Sequence, residues 1–124
     1  MDRILIIQDS RSINAMLKFR LESAGFSVET VETGEEGIER AKTGPYELIL
    51  LDYNLPKMNG SQVCHQLKEN HNTRNIPVLF MSAKDENKLS QITKEAGADG
   101  YVTLPFDGKI FIEKITGFVR KSES

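Results

Sequence analysis

The chain has 124 residues, enough for one domain with a single core that buries roughly two-thirds of the unfolded surface. Its 16 basic and 18 acidic residues nearly cancel, which argues against a dedicated nucleic-acid module with a basic face. One cysteine, Cys64, cannot form an internal disulfide, and no apolar run approaches the ~20 residues of a membrane span. A cytoplasmic protein with no membrane partner is expected.

The first predicted element is a strand at Ile4-Leu5-Ile6-Ile7. Four apolar residues without polar alternation suit a strand buried on both faces of a parallel sheet. Ile13, Met16, Leu17, Leu21 and Ala24 then share one helical face, and Gly25 can end that helix. Val28 to Val31 is a weaker strand, as expected nearer a sheet edge. Thr33 with Glu36 three residues on predicts a capping box for the second helix. Leu48-Ile49-Leu50-Leu51 is a second fully apolar strand. Val63, Cys64 and Leu67 give a third helical stripe. Val78-Leu79-Phe80-Met81 is a further apolar strand, after which Asp85 is expected to cap a helix carrying Leu89, Ile92 and Ala96. Tyr101-Val102 is a second weak strand. Phe111, Ile112, Ile115, Phe118 and Val119 mark the last helix, and Lys121 to Ser124 read as a frayed tail. Strand and helix therefore alternate five times over residues 1–124. That alternation predicts a doubly wound α/β domain: a five-stranded parallel sheet, helices on both faces and right-handed crossovers.

In such sheets ligands bind beyond the carboxyl ends of the strands. Gln8 and Asp9 follow the first strand, Asp52 the third, Ser82 the fourth, and Thr103, Leu104 and Pro105 the fifth. Two carboxylates and a hydroxyl converging on one crevice can hold Mg²⁺ and a phosphoryl group, because magnesium takes one or two carboxylates with carbonyl, water and phosphate oxygens. Each residue alone reads as a cap or loop acid; three on three strand ends shift the balance. His65 and His71 belong to no metal-like cluster, and Cys64 reads as a packed small residue. Met16, Met58 and Met81 read as core or loop packing.

Four segments resemble the response-regulator receiver family of two-component signalling, including its chemotaxis-type single-domain members. Ile4 to Arg11 resembles the opening strand and acidic pair. Leu48 to Gly60, containing Asp52-Tyr53-Asn54-Leu55-Pro56, resembles the phosphorylation segment. Val78 to Ala83 resembles the hydroxyl-bearing strand, and Gly97 to Phe106 the closing motif. The resemblance covers nearly the whole chain. It implies a flavodoxin-like (βα)5 sheet with strand order 2-1-3-4-5.

It also implies that Asp52 accepts a phosphoryl group and that Asp9, Asp52 and the Asn54 carbonyl bind Mg²⁺, with Gln8 contributing through a water. Ser82 would donate to a phosphoryl oxygen, and Tyr101 would turn inward as Ser82 moves. The implied partners are a sensor histidine kinase or phosphotransfer protein and a downstream effector protein, with a homodimer left open and no direct nucleic-acid binding. The effector is expected to read the face made by the fourth helix, fifth strand and fifth helix. No effector domain follows within the 124 residues, so the chain is either a stand-alone receiver or a domain of a longer protein.

Two positions depart from the family. Gln8 stands where the first of two acids is usual, and Leu104 where a lysine is usual. One acid and one cation are lost together, so the formal charge of the site is unchanged while its specific contacts are not. Lys84, two residues after Ser82, is the candidate compensating cation, against the plainer reading of a solvated surface lysine. The Leu104-Pro105 bond is expected to be cis by the same resemblance. The departures motivate an alternative, a pseudo-receiver that works as an interaction module without phosphorylation. A third reading, a phosphatase with an aspartyl nucleophile of the haloacid-dehalogenase-like kind, is disfavoured. Its nucleophile would follow the first strand, with a second Asp two residues on, where this chain has Asn54.

Overall fold

The computed structural model describes residues 2–83, 85–104 and 107–123. Five strands alternate with five helices: β1 (Arg3–Ile7), α1 (Arg11–Ser23), β2 (Ser27–Val31), α2 (Gly34–Thr43), β3 (Leu48–Asp52), α3 (Gly60–Glu69), β4 (Val78–Ser82), α4 (Glu86–Ala96), β5 (Gly100–Thr103) and α5 (Gly108–Glu123). The sheet is parallel in the order β2-β1-β3-β4-β5. The two weak runs, β2 and β5, form its edges, as expected. The expected frayed tail instead continues α5 through Glu123.

Alternation along the strands separates two cores. Ile4, Ile6, Leu48, Leu50, Leu79 and Met81 face α1 and α5, meeting Leu17, Leu21, Phe111, Ile115 and Val119. Leu5, Ile7, Ile49, Leu51, Val78 and Phe80 face the other helices, meeting Ile38, Val63, Cys64, Leu67 and Leu89. Residues of β1, β3 and β4 have apolar neighbours on either side, so every position from Leu48 to Asp52 and from Val78 to Ser82 is buried.

The helix ends follow local chemistry. Ser10 accepts from the Ile13 N–H to start α1, and Gly25, at φ 99°, takes the left-handed conformation just beyond its end. Asp85 caps α4 through the N–H groups of Asn87 and Lys88, as expected. Thr33 accepts from the Glu36 N–H, but its hydroxyl meets the Glu36 carboxylate, so only half of the expected box forms. A complete box instead opens α3, where Asn59 and Gln62 cap each other's backbone.

Two details of the expected stripes change. Asn14 lies on the buried face of α1 with Leu17 and Leu21, and Met16 turns 43% of its surface to solvent. The cause is a hydrogen bond, from Asn14 Nδ2 to the Gln8 carbonyl at 2.7 Å, which fixes the rotation of α1 against the end of β1. Cys64 is buried, and burial pushes its thiol up to about 11, so it packs as an inert residue.

Candidate functional site

Sheet register builds the site. Asp52 ends β3 opposite Met81, so Ser82 lies one residue further along the adjacent strand. The Tyr53 N–H donates to the Met81 carbonyl at 3.0 Å and carries this pairing just past the strand end. On the far side of β4, Ser82 pairs with Thr103, and the Leu104 N–H donates to the Ser82 carbonyl at 2.8 Å. Gln8 and Asp9 leave the end of β1, where Ile7 pairs with Leu51 just before Asp52.

Asn54 ties the centre together. Its N–H donates to Asp52 Oδ1 at 3.1 Å, and its Nδ2 reaches Ser82 Oγ at 3.4 Å. Beyond it the chain makes a tight turn: the Met58 N–H donates to the Pro56 carbonyl at 2.7 Å, with Lys57 at φ 67°. Gly60 then brings α3 against the strand end, its N–H donating to the Tyr53 carbonyl at 2.8 Å. A Cβ at Gly60 would lie 2.7 Å from the Tyr53 Cα, so this approach requires glycine.

Asp52 is 9% exposed. Burial pushes its carboxyl above the usual carboxylate value, and the charge of Asp9 adds to that push. The Asn54 N–H and the Gln8 side chain act the other way, as donors to the charged form. Two negative groups thus face one another at the strand ends. The available donors are carboxylates and a backbone carbonyl, hard oxygens that suit a small divalent cation. Among the described residues no three His, Cys, Asp or Glu side chains cluster as a metal site, but magnesium needs only two carboxylates.

The response regulator receiver domain family matches residues 4–116 of this sequence. The chain belongs to that family. It is 37% identical over 121 residues to the alkaline phosphatase synthesis transcriptional regulatory protein PhoP of Bacillus subtilis, across 98% of this chain and 50% of that protein. The chain spans about half the length of the curated relatives it matches. Its backbone is similar to chemotaxis protein CheY4 of Vibrio cholerae, with TM-score 0.88 and 26% identity over 95% of this chain and 98% of that one. It is similar again to the signal receiver domain of a signal transduction histidine kinase from Syntrophus aciditrophicus, with TM-score 0.89 and 27% identity over 98% of this chain and 92% of that one. The sheet order and the helix placement are those expected of a receiver.

Several expected receiver residues meet at one place: Asp52, Asn54 and Ser82 interlock, and Asp9 is close enough to act on Asp52 by its charge. Ser82 is 1% exposed. Gln8 is 2% exposed, and its side-chain oxygen accepts from the Ser10 N–H at 3.0 Å. Leu104 packs against the core beneath α1 and α5. Lys84 and Pro105, and with Pro105 the expected cis bond, lie outside the described residues.

Tyr101 is half-buried at the surface between α4 and α5. Its hydroxyl donates to Glu86 Oε1 at 3.2 Å. Lys114 donates to the Tyr101 carbonyl, and its ammonium lies 4.7 Å from the ring centroid. Burial lowers the Lys114 pKa, while Glu86 opposes that shift. The family resemblance marks Tyr101 in the sequence but neither Glu86 nor Lys114. No motif marks them, because the three meet only once α4, β5 and α5 are packed.

Proposed function

We propose that Asp52 accepts a phosphoryl group from a sensor histidine kinase or a phosphotransfer protein. The reading rests on one observation: Asn54 contacts both the Asp52 carboxylate and the Ser82 hydroxyl, so nucleophile and phosphoryl-binding hydroxyl share one buried crevice. An Asp52 oxygen attacks phosphorus in line, an O–P bond forms, the donor's N–P bond breaks, and the electron pair stays on the donor imidazole. Little covalent work is needed beyond positioning and charge neutralisation.

Asp9, Asp52 and the Asn54 carbonyl are the residues that would hold Mg²⁺. The bound ion supplies charge neutralisation at the phosphoryl oxygens. The protein's own part is to hold Asp52 through the Asn54 N–H, and to present the Ser82 hydroxyl to a phosphoryl oxygen. When Ser82 swings toward that oxygen, its bond to Asn54 is given up. The altered end of β4 is then read at the surface of α4, β5 and α5, where Tyr101, Glu86 and Lys114 form a latch that an effector protein can find open or closed. This is a shift between states of one domain, not turnover of a foreign substrate.

A second reading, an interaction module that works without phosphorylation, is favoured by one observation. Leu104 lies against the core and brings no cation to the crevice. Beryllofluoride separates the two. With Mg²⁺ present, the receiver reading expects a stable adduct that moves the Tyr101 and Lys114 resonances, and Asp52→Asn abolishes it. The module reading expects no adduct and an effector affinity indifferent to Asp52→Asn.

A further inference from the structure

We propose that Gln8 is a positioning residue whose side-chain NH2 donates to the Asp52 carboxylate and to the phosphoryl group it carries, instead of holding a metal-bound water. The inference rests on the reading of Asp52 as phosphoryl acceptor.

The orientation of the Gln8 amide follows from its neighbours. A backbone N–H can only donate, and the Ser10 N–H lies 3.0 Å from Gln8 Oε1. Flipping the amide would set two donors against each other, so the oxygen must face Ser10. That leaves the NH2 as the end that faces Asp52, and its effect there is that of a donor. The residue cannot turn freely. Its N–H is bound to the Val31 carbonyl at 3.0 Å, its carbonyl accepts from Asn14 Nδ2 at 2.7 Å, and the side chain is 2% exposed.

The chemistry of the crevice gives this donor a purpose. A carboxylate at position 8 would be an acceptor, suited to metal-bound water. A carboxamide with its oxygen engaged offers the opposite polarity. At Leu104 the side chain has no donor and packs into the core, so the cation usual beside the phosphoryl group does not come from there. The hydrogen bonds that favour the Asp52 carboxylate come from the Asn54 N–H and the Gln8 side chain, both neutral. Position 8 has changed from a metal-facing acceptor to a phosphoryl-facing donor, and one residue answers both departures from the family pattern.

The test compares wild-type chain with Gln8→Met, which keeps the bulk without the donor, and with Gln8→Glu. Mg²⁺ affinity is measured by calorimetric titration without phosphodonor, and beryllofluoride adduct lifetime at saturating Mg²⁺. Gln8→Met is expected to change Mg²⁺ affinity by no more than about twofold while shortening the adduct lifetime at least about tenfold, the loss of one hydrogen bond to a charged group. Gln8→Glu is expected to tighten Mg²⁺ binding and still shorten the adduct lifetime. In ¹⁵N spectra of wild type, the Gln8 NH2 resonance is expected to move further with adduct than with Mg²⁺ alone, a signature that a purely structural glutamine would not give. If Gln8→Met weakens Mg²⁺ binding tenfold, with adduct lifetime following it, Gln8 serves the metal and the proposal falls. It falls equally if both quantities stay at wild-type values, or if Gln8→Met unfolds and the wild-type NH2 resonance is the same with and without adduct. Wild type that never forms an adduct overturns the acceptor reading itself, a result distinct from either of these.

Discussion

Gly60→Ala perturbs the point where α3 meets the end of β3. The added Cβ would lie 2.7 Å from the Tyr53 Cα and 3.3 Å from the Asp52 carbonyl oxygen, where ordinary contact begins at 3.4 Å. Both are main-chain atoms and cannot rotate aside, so α3 and the strand end must part by about 0.7 Å. That motion stretches the Gly60 N–H bond to the Tyr53 carbonyl from 2.8 Å toward the limit of a useful hydrogen bond. Overpacking costs about 1–3 kcal/mol and the weakened bond up to about 1 kcal/mol. The stiffer unfolded chain returns about 0.4–1 kcal/mol. A net loss of about 1–3 kcal/mol is expected in urea denaturation. Because Asp52 directly precedes Tyr53, the carboxylate moves too. Misplacing a reacting group by about 1 Å can cost ~100-fold, so phosphorylation by a small phosphodonor with Mg²⁺ should slow tenfold or more. Gly117→Ala is the control. Gly117 is exposed on α5 with nothing within 4 Å of a new Cβ, so the change should stabilise by up to about 1 kcal/mol and leave the rate alone. If the two alanine variants behave alike in both assays, the close approach at Gly60 does not position Asp52.

Glu29 on the edge strand β2 is held at a pKa of about 2, below its ordinary 4.5, by the Tyr46 hydroxyl first and then by Arg40 and Arg3. The stability it gives is present above pH 4.5 and is lost as pH falls toward 2. With the Glu29 side chain 32% exposed, solvent screening limits it to about 1 kcal/mol, so Glu29→Gln should cost about that at pH 7 and almost nothing at pH 2 in denaturant titrations. Asp52→Asn should stabilise the protein in EDTA, since it removes a buried charge facing Asp9; equal denaturation midpoints would contradict this. Mg²⁺ at a hundred times its dissociation constant should stabilise wild type by about 2.7 kcal/mol and Asp52→Asn much less, read as a shift in melting temperature. Ser82→Ala removes the buried hydroxyl expected to donate to the phosphoryl group. Retention of the phosphoryl group should fall by about 1.5–3 kcal/mol, measured as the equilibrium constant for phosphotransfer.

Much of this was legible in the sequence because burial on both sheet faces leaves a plain mark. The runs at Leu48 and Val78 have no polar residue for four positions, and no amphipathic helix or edge strand reads that way. The sheet edges were legible by contrast, since Val28 to Val31 and Tyr101-Val102 mix polar and apolar residues. Strand-end chemistry follows from topology, which marks Asp52 and Ser82 by chain position; Asn54, which touches both, is marked only by the family resemblance, and there for its carbonyl. What escaped depended on side-chain direction. Met16 and Asn14 are both compatible with the stripe of α1, and only the bond from Asn14 to the Gln8 carbonyl decides which turns inward. The Asn59–Gln62 spacing permits a capping box, but spacing alone does not show that a helix starts at Gly60. Whether the side chain after β5 turns to the crevice or lies against the core is set by tertiary packing, which no local pattern encodes. The contacts among Tyr101, Glu86 and Lys114 join three successive elements, α4, β5 and α5, and have no sequence signature.

The most direct test of the central claim is intact-protein mass spectrometry after incubation with Mg²⁺ and either a small phosphodonor or a phosphorylated histidine kinase. Wild type is expected to gain the mass of one phosphoryl group, lost on mild base treatment as an acyl phosphate is. Asp52→Asn is expected to gain none. A wild-type chain that stays unmodified with every donor, or an Asp52→Asn chain modified as fast as wild type, would contradict the account.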